Sequence, residues 1–200
     1  MKRITLPSAW LAFGRRYKQW NAFAGEQSIH FDGLYQHYYP AVLGFLRFLV
    51  GSPEVAEDLT SLVFEKALLH LADVRTPDAV GPWLFRIARN CATDYFRRCK
   101  PTVSLEQLIA AEHLNDQQTA SIEEDAIARE EQWHLLIHLS QLSEREREVI
   151  GLKFVANLHN REIARVLQIP EGTVGSLLYR SLRRLRLALD QEGGHDEIRS

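Results

Sequence analysis

The stretch W-L-F-R-I-A-R-N-C-A-T-D-Y-F-R-R, Trp83 to Arg98, constrains the chain most. Leu84, Ile87, Ala88, Cys91 and Tyr95 recur at steps of three and four, so a helix here gathers them into one apolar stripe that has to be buried. Arg86, Arg89, Asn90, Thr93 and Arg97 then project from the opposite face. On such a face Arg bonds phosphates while Asn and Thr reach base edges or sugars. Trp83 and Tyr95 add rings beside those charges, which suits single-stranded nucleic acid because every base offers a π-face to stack. Taken alone, the same pattern also fits a solvated face over a core, so the rest of the chain has to decide.

Two hundred residues, 46% hydrophobic and 25% charged, allow one large soluble domain or two small ones. The net charge of −2 argues against a protein that coats nucleic acid indiscriminately; binding has to come from local basic faces offset by acidic segments. The two cysteines, Cys91 and Cys99, have neither C-x-x-C spacing nor an even ladder, so no disulfide framework and no zinc motif is expected. That usage fits a reducing cytosol. No run approaches the roughly 18 apolar residues of a membrane span, and the N-terminus lacks a signal-peptide core, so a cytoplasmic protein without a membrane span is expected.

Along the chain, residues 1–27 form a basic, aromatic N-terminal extension (Lys2, Arg3, Arg15, Arg16 and Lys18 among Trp10, Phe13, Tyr17, Trp20 and Phe23) to which no function is assigned. Leu34, Tyr38, Val42, Phe45, Leu46 and Leu49 predict a first core helix over Phe31 to Val50, interrupted or kinked at Pro40 and ended by Gly51. Ser52-Pro53-Glu54 is a helix-start signature. It opens a second helix with Ala56, Leu59, Val63, Ala67 and Leu71 buried, leaving Glu57, Asp58, Thr60, Ser61, Glu65 and Lys66 for solvent or a partner. Asp73 to Pro82 reads as a Pro/Gly-punctuated loop leading into the Trp83 helix. No strand period appears in this half.

Residues 100–124 read as an acidic, flexible linker rich in Asn, Gln and Asp. Beyond it Ile127, Trp133, Leu136, Ile137 and Leu139 give an amphipathic stretch. His134 and His138 lie one turn apart there, but without a third ligand no metal is expected. Ser143-Glu144-Arg145-Glu146 is a capping box opening a helix through Phe154. Ile163, Ala164, Val166 and Leu167 form the inner face of a short helix, Gln168 to Gly172 a turn, and Thr173 starts a longer helix with Val174, Leu178 and Leu185 inward. That is helix-turn-helix spacing, and Arg180, Arg183, Arg184 and Arg186 stud the second helix as a phosphate-anchored major-groove reader requires.

Two runs carry a resemblance. A-E-D-L-T-S-L-V-F-E-K-A (Ala56 to Ala67) followed by P-W-L-F-R-I-A-R-N-C-A-T-D-Y-F-R-R (Pro82 to Arg98) resembles the promoter-melting domain of the extracytoplasmic-function sigma factors of bacterial RNA polymerase. L-S-E-R-E-R-E-V-I through I-P-E-G-T-V-G-S-L-L-Y-R-S-L-R-R-L-R resembles that family's −35-reading domain. The resemblance implies an all-α fold of two small helical domains: residues 28–99 for core binding and −10 melting, and 125–190 with the helix-turn-helix, followed by a tail at 191–200. It implies that Glu57, Asp58 and Ser61 touch the core enzyme. Val74, Trp83, Arg86, Asn90, Arg97 and Arg98 would hold melted −10 DNA, and Glu171, Gly172, Thr173, Ser176, Arg180, Arg183 and Arg184 would read the −35 duplex. The partners implied are RNA polymerase core, promoter DNA and an anti-sigma factor.

Departures from the family pattern are Ser61-Leu62 where Gln-Glu is usual, and Gly175 and Leu177 where basic residues are usual. They leave room for two rivals, a sigma-like decoy that binds an anti-sigma factor without reading DNA and a plain helix-turn-helix regulator. No paired carboxylates, Gly-rich phosphate loop or nucleophile motif appears, so no enzymatic activity and no cofactor is expected.

Overall fold

A computed structural model describes residues 30–98 and 137–196, with side chains up to Leu189. The N-terminal extension, the linker, Trp133, His134 and the end of the tail lie outside the described residues. Helix α1 spans Phe31–Val50, α2 Pro53–His70 with a 3₁₀ turn at Leu71–Asp73, and α3 Pro77–Arg98. After the linker come α4 (Glu144–Ile150), a π turn (Gly151–Val155), α5 (Asn160–Leu167) and α6 (Glu171–Asp196). No strand occurs among the described residues, so the all-α expectation holds.

Helix α1 runs through Pro40 without interruption. Proline removes one backbone donor, and the carbonyl it strands belongs to the exposed Gln36, where water can serve it. The helix stops at Gly51, whose φ of 78° only glycine adopts without strain and whose N–H returns to the Arg47 carbonyl. Ser52 then caps α2, its hydroxyl accepting from the Val55 N–H, with Pro53 in the first turn as expected. Ala56, Leu59, Val63 and Ala67 are buried as read, while Leu71 is half-buried.

Two readings in this half need correction. Thr60, assigned to solvent, is fully buried, and its hydroxyl donates to the Ala56 carbonyl at 2.7 Å, a local bond that hides a polar group inside the turn below it. The expected loop over Asp73 to Pro82 shrinks to a short connection, because α3 starts at Pro77. Thr76-Pro77-Asp78 is itself a helix start, with Pro and an acid in the first turn. Pro82 is tolerated inside because the carbonyl it leaves unpaired is that of exposed Asp78, while Val80, Gly81 and Pro82 are all buried.

Aromatic rings lock the first two helices together. Phe64 of α2 meets Tyr35 at 4.8 Å and Tyr39 at 5.9 Å between ring centroids, and Phe45 of α1 meets Phe85 of α3 edge-on at 5.7 Å. Neither Phe64 nor Phe85 was in the expected stripes, yet both are buried.

In the second half the capping box is present: the Ser143 hydroxyl accepts from the Glu146 N–H, and the Glu146 carboxylate accepts from the Ser143 N–H at 2.9 Å. The helix it opens was expected through Phe154, but it passes at Gly151 into a π turn. Helix α5 ends at Gln168 with a left-handed φ of 54°, and α6 begins at Glu171, two residues earlier than expected. Ile163, Val166, Leu167, Val174, Leu178 and Leu185 are buried as read. The apolar faces of the two halves merge into a single buried cluster, with α1 packing on the π turn and α3 on α5.

Glu146 carries a testable consequence of the cap. Burial pushes its carboxyl up, but the Ser143 hydroxyl and N–H and the charges of Arg184 and Arg180 outweigh that and hold it below its ordinary value of 4.5. A lowered folded pKa means stabilisation that is complete above the ordinary value and is lost as pH falls through the folded one. Glu146→Gln should therefore destabilise the protein by about 1 kcal/mol at pH 7, and the difference from the parent should close below pH 4.5. Urea melts of both proteins across pH check it; a gap that persists at low pH overturns the assignment.

Candidate nucleic-acid and polymerase interfaces

The burial of one face of each helix decides what its other face can offer. On α3, Leu84, Ala88 and Cys91 are buried and Ile87 and Tyr95 half-buried, so the apolar stripe is where the periodicity put it. Arg86, Asn90, Arg97 and Arg98 stand exposed, available to phosphates and bases. Arg97 makes a 3.4 Å contact with Asp94, both well solvated, a pair worth little and easily exchanged for a phosphate. Trp83 and Val74 are half-buried against the core. Cys91 lies 3.6 Å from Lys66 Nζ; burial pushes its thiol up, which leaves it an inert packing group.

Arg89 departs from the sequence expectation. It belongs to the basic stripe by register, yet its Nε donates to Glu148 Oε1 of α4 at 2.6 Å, so its charge is spent inside the protein. Glu148, 3% exposed, also accepts from Arg145 at 3.0 Å, and Arg145 in turn donates to the Leu167 carbonyl at the end of α5. Sequence reading missed this tie because a Glu in S-E-R-E-R-E-V-I looks like one more surface acid; the signal available was its place directly before the buried pair Val149-Ile150.

Helix α2 shows a different face. Glu57, Asp58 and Ser61 are exposed, the Ser61 hydroxyl bonded back to the Glu57 carbonyl. Asp58, Leu62, Glu65 and Leu69 follow at steps of four, three and four, making one exposed stripe in which acids alternate with leucines. Leu69 is 72% exposed and Leu68 58%, an apolar patch that the expectation of a purely acidic face did not include.

Helix α6 begins with Glu171, Gly172, Thr173 and Ser176 exposed, and Arg180, Arg183 and Arg184 continue the exposed face. Arg184 reaches back to Glu146 at 3.5 Å while staying 59% exposed, so the capping box and the basic face share a charge. The two departures from the family pattern are different in kind. Leu177 packs against the core, so a leucine there strengthens the helix-turn-helix itself. A side chain at Gly175 would meet nothing within 4 Å, and its φ is not left-handed.

Residues 34–101 match Sigma-70 region 2 and residues 139–185 match Sigma-70 region 4. The chain is 31% identical to the ECF RNA polymerase sigma factor SigM of Bacillus subtilis, over 83% of this chain and 98% of that one. It is 31% identical to the ECF sigma factor RpoE of Cereibacter sphaeroides, over 82% and 85%. Among solved structures it is similar to the sigma factor RpoE in complex with the anti-sigma factor NepR from Bartonella quintana (TM-score 0.60, 21% identity, 80% of this chain and 96% of that one). It is also similar to CnrH in complex with the cytosolic domain of CnrY (TM-score 0.59, 20% identity, 92% and 99%); both likenesses are of fold.

Because nothing inside the fold requires glycine at 175, Gly175→Ala should raise stability by up to about 1 kcal/mol through helix propensity alone. Thermal melts decide it, and a loss of stability would show that the backbone there is held by something other than its own helix.

Proposed function

The chain belongs to the extracytoplasmic-function sigma factors of bacterial RNA polymerase, which bind core enzyme and direct promoter-specific initiation, and we propose that three of its surfaces divide that work. The observation that carries the division is the order of exposed faces: an acid-and-leucine face on α2, a basic face with Asn90 on α3 and a basic face on α6. Each is the solvated side of a helix whose other side is locked in the core, so each is presented on a rigid element.

Glu57, Asp58 and Ser61 of α2 meet the core enzyme. Carboxylates there pair with basic groups of the partner, while Leu62, in the same stripe as Asp58, adds apolar contact where the family usually has an acid. Trp83, Arg86, Asn90, Arg97 and Arg98, with Val74 from the connection before α3, hold the melted −10 strand. Arg bonds the backbone, and the Asn90 amide has both a donor and an acceptor for a base edge. Glu171, Gly172, Thr173 and Ser176 enter the −35 major groove at the start of α6. Arg180, Arg183 and Arg184 hold the flanking phosphates, and the helix N-terminus favours an anion.

The protein acts by binding, without catalysis of its own, in the cytoplasm where the polymerase is. An anti-sigma factor is a fitting further partner, since one of the solved structures named above, that of RpoE from Bartonella quintana, is a sigma factor in complex with an anti-sigma factor.

Transcripts mapped after reconstitution with core polymerase should start downstream of shared two-element promoters; core behaviour unchanged by the protein would overturn the reading. Asn90→Ala should impair open-complex formation, read by permanganate footprinting, more than it impairs duplex binding. Asp58→Arg should weaken core binding at low salt, and the deficit should shrink toward 1 M salt, where screening reaches about 3 Å. Equal affinity of mutant and parent at low salt would remove Asp58 from the interface.

A further inference from the structure

The N-terminal extension, outside the described residues, carries a pattern that the three surfaces do not use. Trp10, Phe13, Tyr17 and Trp20 stand at steps of three, four and three, so a helix would gather them into one aromatic stripe. Arg16 and Lys18 flank Tyr17, and residues 1–27 together hold five basic residues against one acid. On α2 the exposed residues Asp58, Leu62, Glu65 and Leu69 stand at steps of four, three and four, with exposed Leu68 beside them. Both stripes thus have the alternating three-four spacing of helices that pack along each other. Their chemistry is complementary, rings against leucines and basic groups against carboxylates. The extension also arrives beside this face. The chain enters α1 at Phe31, whose ring meets that of Phe64 of α2 edge-on at 6.4 Å between centroids. Phe64 directly precedes Glu65 and lies one turn before Leu68, and exposed Tyr35 also packs on its ring. Residues 21–30, which link Trp20 to Phe31, reach about 35 Å when extended, while the 18 residues of α2 measure about 27 Å. Every part of the face is within reach. A tether this short gives a local concentration on the order of millimolar, enough to close a contact that is weak between separate molecules.

We propose that the segment Trp10 to Trp20 docks as a helix along the Asp58–Leu69 face of α2, and in the free protein covers the surface that takes up polymerase core. Leu62 and Leu69 seat the rings, and Asp58 and Glu65 hold Arg16 and Lys18 at the margins, as flanking charges do between paired helices. An apolar patch that would otherwise face water thereby gains a partner from its own chain. A basic aromatic segment also suits an anionic lipid surface or single-stranded nucleic acid, but neither accounts for a spacing and a charge that match the nearest exposed face of the same protein. The covering of the core surface rests on the reading that α2 meets the core enzyme; the docking does not. Core polymerase has to displace the extension, so its apparent affinity is reduced to the fraction of chains that stand uncovered.

The test uses the full chain free in solution, with a nitroxide label at Ser61→Cys of α2 in a Cys99→Ser background and the tryptophan indole N–H signals followed by NMR. The Trp10 and Trp20 signals should be several-fold broader with the active label than with the reduced one. Arg16→Glu with Lys18→Glu should sharpen both, and so should Leu62→Ser with Leu69→Ser, while an unmoved Trp83 signal reports that the core is intact. Sharp Trp10 and Trp20 signals in the parent, or broadening that survives both double variants, overturn the docking. Signals that are sharp in the free chain and change on adding phosphatidylglycerol vesicles or a single-stranded oligonucleotide overturn it too, and give the extension to a lipid surface or to nucleic acid. Without the label, Arg16→Glu with Lys18→Glu should bind core polymerase several-fold more tightly than the parent; an unchanged affinity overturns the covering. Adding Asp58→Arg to that released chain should then cost core affinity. No cost means that α2 is not the core surface, while the docking, read without polymerase, stands.

Discussion

Glu148 is a charge the fold has surrounded: its side chain is 3% exposed, with guanidinium nitrogens at 2.6 Å and 3.0 Å. Removing a carboxylate from water costs several kcal/mol, and an attractive partner returns that only with good geometry. Glu148 has two, and they come from different places. Arg145 is one turn back on the same helix and also holds the last carbonyl of α5, so it fixes the angle between those helices. Arg89 comes from α3, so the same carboxylate fixes where the helix-turn-helix half sits on the first half. Deleting either arginine leaves a partly paired charge inside, a larger penalty than the pair's own net contribution.

Apolar burial cannot do this by itself. Phe45, Phe48, Leu152 and Val155 are buried, but the hydrophobic effect is non-directional and tolerates many sliding arrangements of two greasy faces. Close approach at Gly151 narrows the choices, because the rings of α1 enter only where a side chain is missing. The ion pair narrows them again by demanding one direction. Shape, volume and charge thus select one packing together, and the π turn lets α4 deliver both the glycine and the glutamate to it.

What was legible in the sequence follows from what a helix makes periodic. Buried stripes, the Ser52 and Ser143 caps, the stop at Gly51 and the inner face of the helix-turn-helix are local facts, written at fixed spacings, and the structure has them where the pattern put them. Thr60 was illegible because its burial depends on a hydroxyl folding back onto its own helix, which polarity alone does not announce. Pro82 was misread because a breaker inside a helix is judged by the carbonyl it strands, and only the fold tells that this one faces water. Arg89 had the right register and the wrong neighbour: charges pair with whatever the tertiary structure brings up, and Glu148 is 59 residues away. The exposed leucines of α2 and the open space at Gly175 are of the same kind, since exposure is a property of packing.

The acidic balance of the whole chain and its basic faces are reconciled by the same geometry. A net charge of −2 gives no general attraction to DNA, so under the proposed reading affinity has to come from local basic faces, such as the exposed arginines of α3 and α6 among the described residues. With no cation at Gly175 and with Leu177 turned into the core, the start of α6 offers few phosphate contacts. Two modest sites on one chain gain strength from each other only when both can be occupied at once, and the gain disappears when the geometry forbids it.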